Sequence, residues 1–505
     1  MIASPALAKE PQDMTALASD IADGKSSSEA AVRGYLRRIA MIDDGGVRLN
    51  AVLSTMPDAI EQARLRDSER RQGKLRGPLH GVPILIKDNV EVSGPIPTTA
   101  GSLALKDSVT NRDAPMIARL KAAGAIILGK TNLSEWANFR SDTSTSGWSA
   151  IGGLTRNPHM LNRNACGSSS GSGAAMAARL AAATIGTETD GSITCPAGIN
   201  GIVGFKPSVG LVSRTHIVPI SPSQDTAGPM TQSVRDAALM LTVMAGSDPA
   251  DPATKEADSR KVDYAAALSD SGLRGLRIGV LRDRIGSNPA IVSLFDAALA
   301  AMQKAGAVIV EIKDSRKGFD GLGDAEFSVL LSEFKASIAA YLAARPGNAG
   351  PQNLADLIAF NKANASTEMR WFGQDVFEQA EAKPGLDDAG YRADLAKSKR
   401  LAGPDGIDRL LRDNKVDILL GVTNGPAWTS DLINGDNFTG PGSSQLPAIA
   451  GYPHLTVPMG DVHGLPIGIS FIGTAWDDAR VLAAGYAYEQ VSHKRIEPAF
   501  RESAE

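Results

Sequence analysis

A chain of 505 residues is too long for a small disulfide scaffold and sufficient for one large domain or about three ordinary ones. Its composition, 43% hydrophobic and 21% charged, is that of a globular protein and excludes global disorder. The 52 basic and 56 acidic residues leave a net charge of −4, which excludes binding to nucleic acid or an anionic membrane through bulk charge; two cysteines cannot frame a disulfide-rich fold.

Residues 1–12 read as a flexible start. Ala6-Leu7-Ala8 resembles a signal-peptidase site but has no basic or apolar stretch before it. No apolar run reaches the roughly 20 residues that a membrane helix needs. The expectation is a soluble protein, cytoplasmic in preference to periplasmic or secreted.

The spacing of apolar residues predicts helices over 15–23 and 28–41, with a serine among 26–28 as a cap, and a charged helix over 56–72. Residues 82–86 form a short apolar strand, with Pro83 placing it at a sheet edge or at a strand start. A helix over 115–124, with Pro near its first turn and Gly at its end, leads to a strand over 125–128. The same grammar recurs at 291–306 and 307–312, after a strand over 276–281, and such alternation means α/β. Between them, residues 141–233 are rich in Gly, Ser and Thr and poor in charge. They also hold an Ala-rich helix over 173–183 and an apolar run over 199–205, so they read as a place where backbone approaches a ligand. Residues 247–274 look like a surface excursion and 320–415 are mainly helical. Strands follow at 416–420, 454–457 and 467–472, and residues 486–490 sit in a last helix.

Several chemistries are absent from the sequence. It has no GxxxxGK[ST], no HExxH and no paired CxxC, and its six histidines are scattered and read as structural. Gly167-Ser168-Ser169-Ser170-Gly171 matches GxSxG, but the segment before it is polar, not the buried strand of a nucleophile elbow, so Ser169 is not read as a nucleophile.

Three segments carry the chemistry. Lys87 closes the apolar run 81–86. Desolvation there lowers an amine's pKa, and a neutral lysine takes a proton from a hydroxyl; the alternative is a surface lysine beside Asp88. Residues 166–173, CGSSSGSG, place three hydroxyls on a Gly-bounded turn before a helix, of which capping accounts for one. Residues 186–193, GTETDGSI, put a serine on a Gly-bearing turn, where backbone N–H groups can face a developing oxyanion; the alternative is another polar turn.

Together with GTETDGSITCPAGINGIVGFKPS, these segments resemble the amidase signature family, as do KTNLSEW (130–136), SQDTAGPM (223–230), AGYP (450–453) and GLPIG (464–468). The spacing 192 − 168 = 24 agrees with that family's two serines. The segments LAGPDGID (401–408) and LADLIAFN (354–361) resemble its peptide amidase subgroup. The resemblance implies one α/β domain over 13–505, a mixed twisted sheet of about eleven strands covered by helices on both faces. The signature core spans about 80–235 and a helical insertion about 320–415. It also implies a Ser–cis-Ser–Lys triad, with Ser192 as the acylating nucleophile, Ser168 as the bridging serine after a cis bond and Lys87 as the base. Backbone N–H groups of Thr189, Asp190, Gly191 and Ser192 form the oxyanion hole, Ser169 and Thr187 support it, and Ala137 and Asn138 line the substrate channel.

The implied activity is amide hydrolysis through a seryl acyl-enzyme, with C-terminal peptide amides as one substrate class. Anilides, carbamates or esters are alternatives, and so is the role of glutaminase component in a tRNA-dependent amidotransferase. No metal or cofactor is expected, nor a nucleic-acid or membrane partner, and the chain is expected as a monomer or homodimer. Glu188, Asp190 and Thr194 depart from the common family pattern, the first two as the subgroup does. Trp136 and Phe139 fit either the channel wall or ordinary core. Cys166 and Cys195 flank the two serines and are expected as small reduced residues packed near the site; the alternative is that they approach each other.

Overall fold

The apolar runs of this chain become strands of one sheet, all but the one over 307–312 in its interior. The structure is a computed structural model and describes residues 12–347 and 350–504. Its strands in chain order are β1 (Val52–Thr55), β2 (Pro83–Lys87), β3 (Ile126–Thr131), β4 (Trp148–Ser149), β5 (Gly153–Leu154), β6 (Ala183–Glu188), β7 (Val203–Lys206), β8 (Thr226–Thr231), β9 (Arg277–Val280), β10 (Val308–Glu311), β11 (Ile418–Val422), β12 (His454–Val462) and β13 (Leu465–Ile472). Eleven of them make one sheet in the order β1-β3-β2-β6-β8-β7-β12-β13-β11-β9-β10; β4 and β5 pair separately.

The sheet is mixed. β2 runs parallel to β3 and β6, and β9 parallel to β10 and β11, while the centre from β6 to β11 is antiparallel. β2 is buried at every position, as expected of a strand covered on both faces. Pro83 opens this interior strand from its first position, one of the few a proline tolerates, so the edge alternative is not realised. Helices pack on the sheet, among them Ser170–Ala177, Val234–Met244, Pro289–Lys304 and Asp478–Ser492. The result is the single α/β domain that the resemblance implied.

A second apolar cluster lies outside the sheet. Helices Leu322–Ala343, Leu354–Ala363 and Asp375–Glu381 bury Phe334, Leu357 and Phe377 against Trp136 and Phe139. Phe139 meets Phe334 at 5.0 Å between ring centroids and Trp136 meets Phe377 at 5.8 Å, both edge-on. Both aromatic residues are therefore core, and they seat the helical segment on the turn Glu135–Asn138.

Some elements differ from their sequence expectation. The helix expected to 41 is regular over Ser28–Arg38, capped by Ser27, then widens into a π-turn over Ile39–Asp44. The helix expected over 173–183 is Ser170–Ala177, and the apolar run after 199 splits between helix Thr194–Ile199 and β7. β1 falls between the helices expected over 28–41 and 56–72, where no strand was expected. Of the expected flexible start, residues 1–11 lie outside the described residues. Among the described residues, no helix is long and apolar enough to cross a membrane.

Candidate active site

β2 and β6 are parallel neighbours, so their carboxyl ends open at the same side of the sheet, where α/β folds place ligands. β2 ends on Lys87 and β6 on Glu188. The turn before helix Ser170–Ala177 packs onto β6. Ser169 Oγ donates to Thr187 O at 3.1 Å and accepts from Thr187 N at 3.2 Å, and Ser172 Oγ donates to Ile185 O at 2.9 Å. Gly186 makes that approach possible: a Cβ there would lie 2.8 Å from Ser169 Oγ. Ser169 is thus committed to the strand, as the rejection of the elbow reading required.

Lys87 is fully buried, not a surface lysine. Its Nζ donates to Ser168 Oγ at 2.7 Å, to Thr187 Oγ1 at 2.8 Å and to Thr187 O at 3.3 Å. Burial pushes its pKa from 10.5 down to about 7, against the pull of Asp225 and Glu188. Asp88, its chain neighbour, turns instead to Lys130 at 3.2 Å. The peptide bond between Gly167 and Ser168 is cis, and Ser168 O accepts from Ser134 N at 3.0 Å.

Ser192 joins this group through the main chain: Ser169 N donates to Ser192 O at 3.2 Å. Its loop is pinned from both sides. Glu188 Oε2 accepts from Ile193 N at 2.7 Å and Thr194 N at 2.9 Å, which explains an acidic residue at the end of β6. Thr189 Oγ1 donates to Asp225 Oδ1 at 2.6 Å. Gly191 takes a left-handed φ of 78°, which a side chain would strain. Among the described residues, none of the N–H groups of Thr189, Asp190, Gly191 and Ser192 donates in a turn or loop hydrogen bond. Burial and the nearby Glu326 hold the Asp190 carboxyl well above the usual carboxylate range.

The two cysteines overturn their expectation. Cys166 and Cys195 form a disulfide, with Cα atoms 6.0 Å apart across 29 residues of sequence. The reduced pair was expected because sequence carries no sign of this distance. The bond ties the Ser168 turn to the helix that follows Ser192. Ala137 lines a small cavity with Asn89, Thr187, Thr189 and Asp225, and Trp136, Ala137 and Asn138 all have left-handed φ. Asn138 Nδ2 donates to Ser146 Oγ at 3.0 Å. Asn89 was not singled out from the sequence, yet its Nδ2 donates to Thr187 Oγ1 at 2.9 Å, so that oxygen receives both Asn89 and Lys87. Its only sequence signal is its place two residues after Lys87.

A sequence model of the family described as Amidase matches residues 30–482. The chain belongs to the amidase family. The peptide amidase of Stenotrophomonas maltophilia superposes on this amidase with a TM-score of 0.91 at 48% identity, over 97% of this chain and 98% of that one. A probable amidase of Arabidopsis thaliana is 40% identical over 94% of this chain and 88% of its own length. A glutamyl-tRNA(Gln) amidotransferase component of Pseudomonas syringae is 34% identical over 96% of this chain and 98% of its own length. This amidase is an enzyme of amide C–N bond hydrolysis.

Proposed function

We propose that this amidase hydrolyses the C-terminal carboxamide of peptides to the carboxylic acid and ammonia, acting without partner proteins. One observation carries the mechanism: Lys87 is buried, bonded to Ser168 and Thr187, and among the described residues has no carboxylate within ion-pair distance. With a pKa of about 7, a large fraction of Lys87 is neutral at neutral pH.

Neutral Lys87 takes the proton of Ser168, which takes that of Ser192. Ser192 Oγ bonds to the amide carbonyl carbon, and the oxyanion is held by N–H groups of the 189–192 loop. The proton returns through Ser168 to the leaving nitrogen, the C–N bond breaks, and ammonia departs. Water then repeats the sequence on the acyl-Ser192 ester and releases the carboxylic acid. In this scheme Ser169 and Thr187 hold the serine turn and the lysine in place, and Ala137 and Asn138 flank the substrate.

The likeness to peptide amidase supports the peptide carboxamide class. The glutaminase-type reading rests on the weaker 34% likeness. Substrate profiling of the purified chain separates them. The expected result is ammonia release from N-blocked dipeptide amides by the chain alone, with acyl-enzyme mass on Ser192. Hydrolysis of glutamine alone, and only with added partner proteins, contradicts the proposal.

A further inference from the structure

The oxyanion loop is also held from the helical segment, through a residue that neither the triad nor its supports include. Gln224 is 1% exposed. Its Nε2 donates to Thr189 O at 3.1 Å and to Glu326 Oε1 at 3.1 Å. Glu326, on helix Leu322–Ala343, accepts a second amide at its other oxygen, from Gln445 Nε2 at 2.9 Å. Both hydrogens of the Gln224 amide are thereby used, and its orientation is fixed.

The consequence lies in the peptide plane. The Thr189–Asp190 bond is trans, the one cis bond of the described residues being Gly167–Ser168. In a planar trans unit the C=O and the next N–H point in opposite directions. A donor that holds Thr189 O on one side therefore aims Asp190 N–H to the other, and that N–H is one of the proposed oxyanion donors. Thr189 is held at its hydroxyl too, by Asp225, whose Oδ2 accepts from Ile220 N at 2.8 Å and Ser221 N at 2.9 Å.

The turn bearing Gln224 is itself clamped by the helical segment. Lys399 Nζ donates to Ser223 O and to Ile449 O, both at 2.6 Å. Glu333 Oε2 accepts from Ser223 N at 3.0 Å and Ser221 Oγ at 2.5 Å. A buried carboxylate and amide of this kind need their partners, so the chain 326–224–189 behaves as one unit.

We infer that Gln224 is a positioning residue for the oxyanion hole, that Glu326 acts through it, and that the helical segment thus sets the geometry of the reacting loop. This rests on the reading of the 189–192 loop as the oxyanion hole.

The test is the rate at which a fluorophosphonate labels Ser192, measured beside kcat and KM for a dipeptide amide and beside the melting temperature. Gln224→Leu keeps the bulk and removes both donors. It is expected to slow labelling and kcat together by about ten- to a hundredfold, less than the loss of a whole oxyanion donor, with KM within about threefold. Glu326→Gln is expected to slow both by about three- to tenfold, and the double variant to match Gln224→Leu, because the two act in series. Should Gln224→Leu not fold, Glu326→Gln with unchanged melting temperature carries the test. Unchanged labelling in a folded variant, or a loss confined to KM or to the melting temperature, overturns the inference. If wild-type Ser192 is neither labelled nor acylated, the proposed function fails and this inference with it. If the wild type reacts and Gln224→Leu reacts equally fast, only the inference fails.

Discussion

Two lysines lie fully buried on neighbouring strands, and their surroundings differ in kind. Lys87 ends β2, and Lys130 sits in β3 opposite Ile86. Lys130 meets Asp88 at 3.2 Å, Val90 O at 2.6 Å and Thr98 Oγ1 at 2.8 Å. Asp88 is held in turn by Thr99 N at 3.1 Å. Lys87 meets two hydroxyls and a carbonyl. Burial pulls both amines down, but only Lys130 has a carboxylate in contact to oppose it. Burial in this fold therefore does not by itself make a base. In the proposed mechanism the base is the buried lysine that bonds Ser168 and has no carboxylate in contact.

The comparison breaks most sharply at the two amines themselves. Lys87→Met is expected to lower kcat by about a hundred- to ten-thousandfold at pH 7 while the protein stays folded, checked by amide turnover and a thermal melt. Lys130→Met is expected to do the reverse. It strands Asp88 as a buried unpaired carboxylate and lowers unfolding free energy by about 3–5 kcal/mol in a denaturant titration, with turnover per folded molecule largely kept. Equal losses of turnover in the two variants would erase the distinction.

The serine side of the Lys87 pocket is open to a separate probe. Replacing both Cys166 and Cys195 by serine, which leaves the Lys130 pocket untouched, is expected to cost about 2–4 kcal/mol of stability through the 29-residue loop it releases, read by chemical denaturation. The smallest effect is expected at Thr187. Thr187→Val removes an acceptor that favours the charged amine, so the Lys87 pKa falls further. The rate–pH midpoint then moves below its wild-type position, and the plateau rate drops by about tenfold, visible in a pH series of kcat/KM.

The sequence made much of this visible and hid the rest for physical reasons. Lys87 stood out because it closes a wholly apolar run, and the run proved to be an interior strand. β6 and β8 did not stand out as strands. β6 ends Gly-Thr-Glu, and β8 carries Gly228 and Pro229 in mid-strand, so their local preferences deny a role that their neighbours in the sheet impose. The placement of Ser168 and Ser192 came from the family resemblance, since a serine on a polar turn has no local mark of a nucleophile. The disulfide and the contact of Gln224 with Glu326 join residues 29 and 102 positions apart, a proximity that only the folded chain creates.

The central claim is that Ser192 reacts through a neutral Lys87. The direct measurement is the pH dependence, between 5 and 9, of the rate at which a fluorophosphonate labels Ser192. Because the reactive form of Lys87 is the deprotonated one, the rate should rise with pH, with a midpoint near the shifted pKa of about 7, and level off above it. Lys87→Met should be slow throughout and lose that midpoint. A flat profile in the wild type, or the same midpoint persisting in Lys87→Met, would contradict the account.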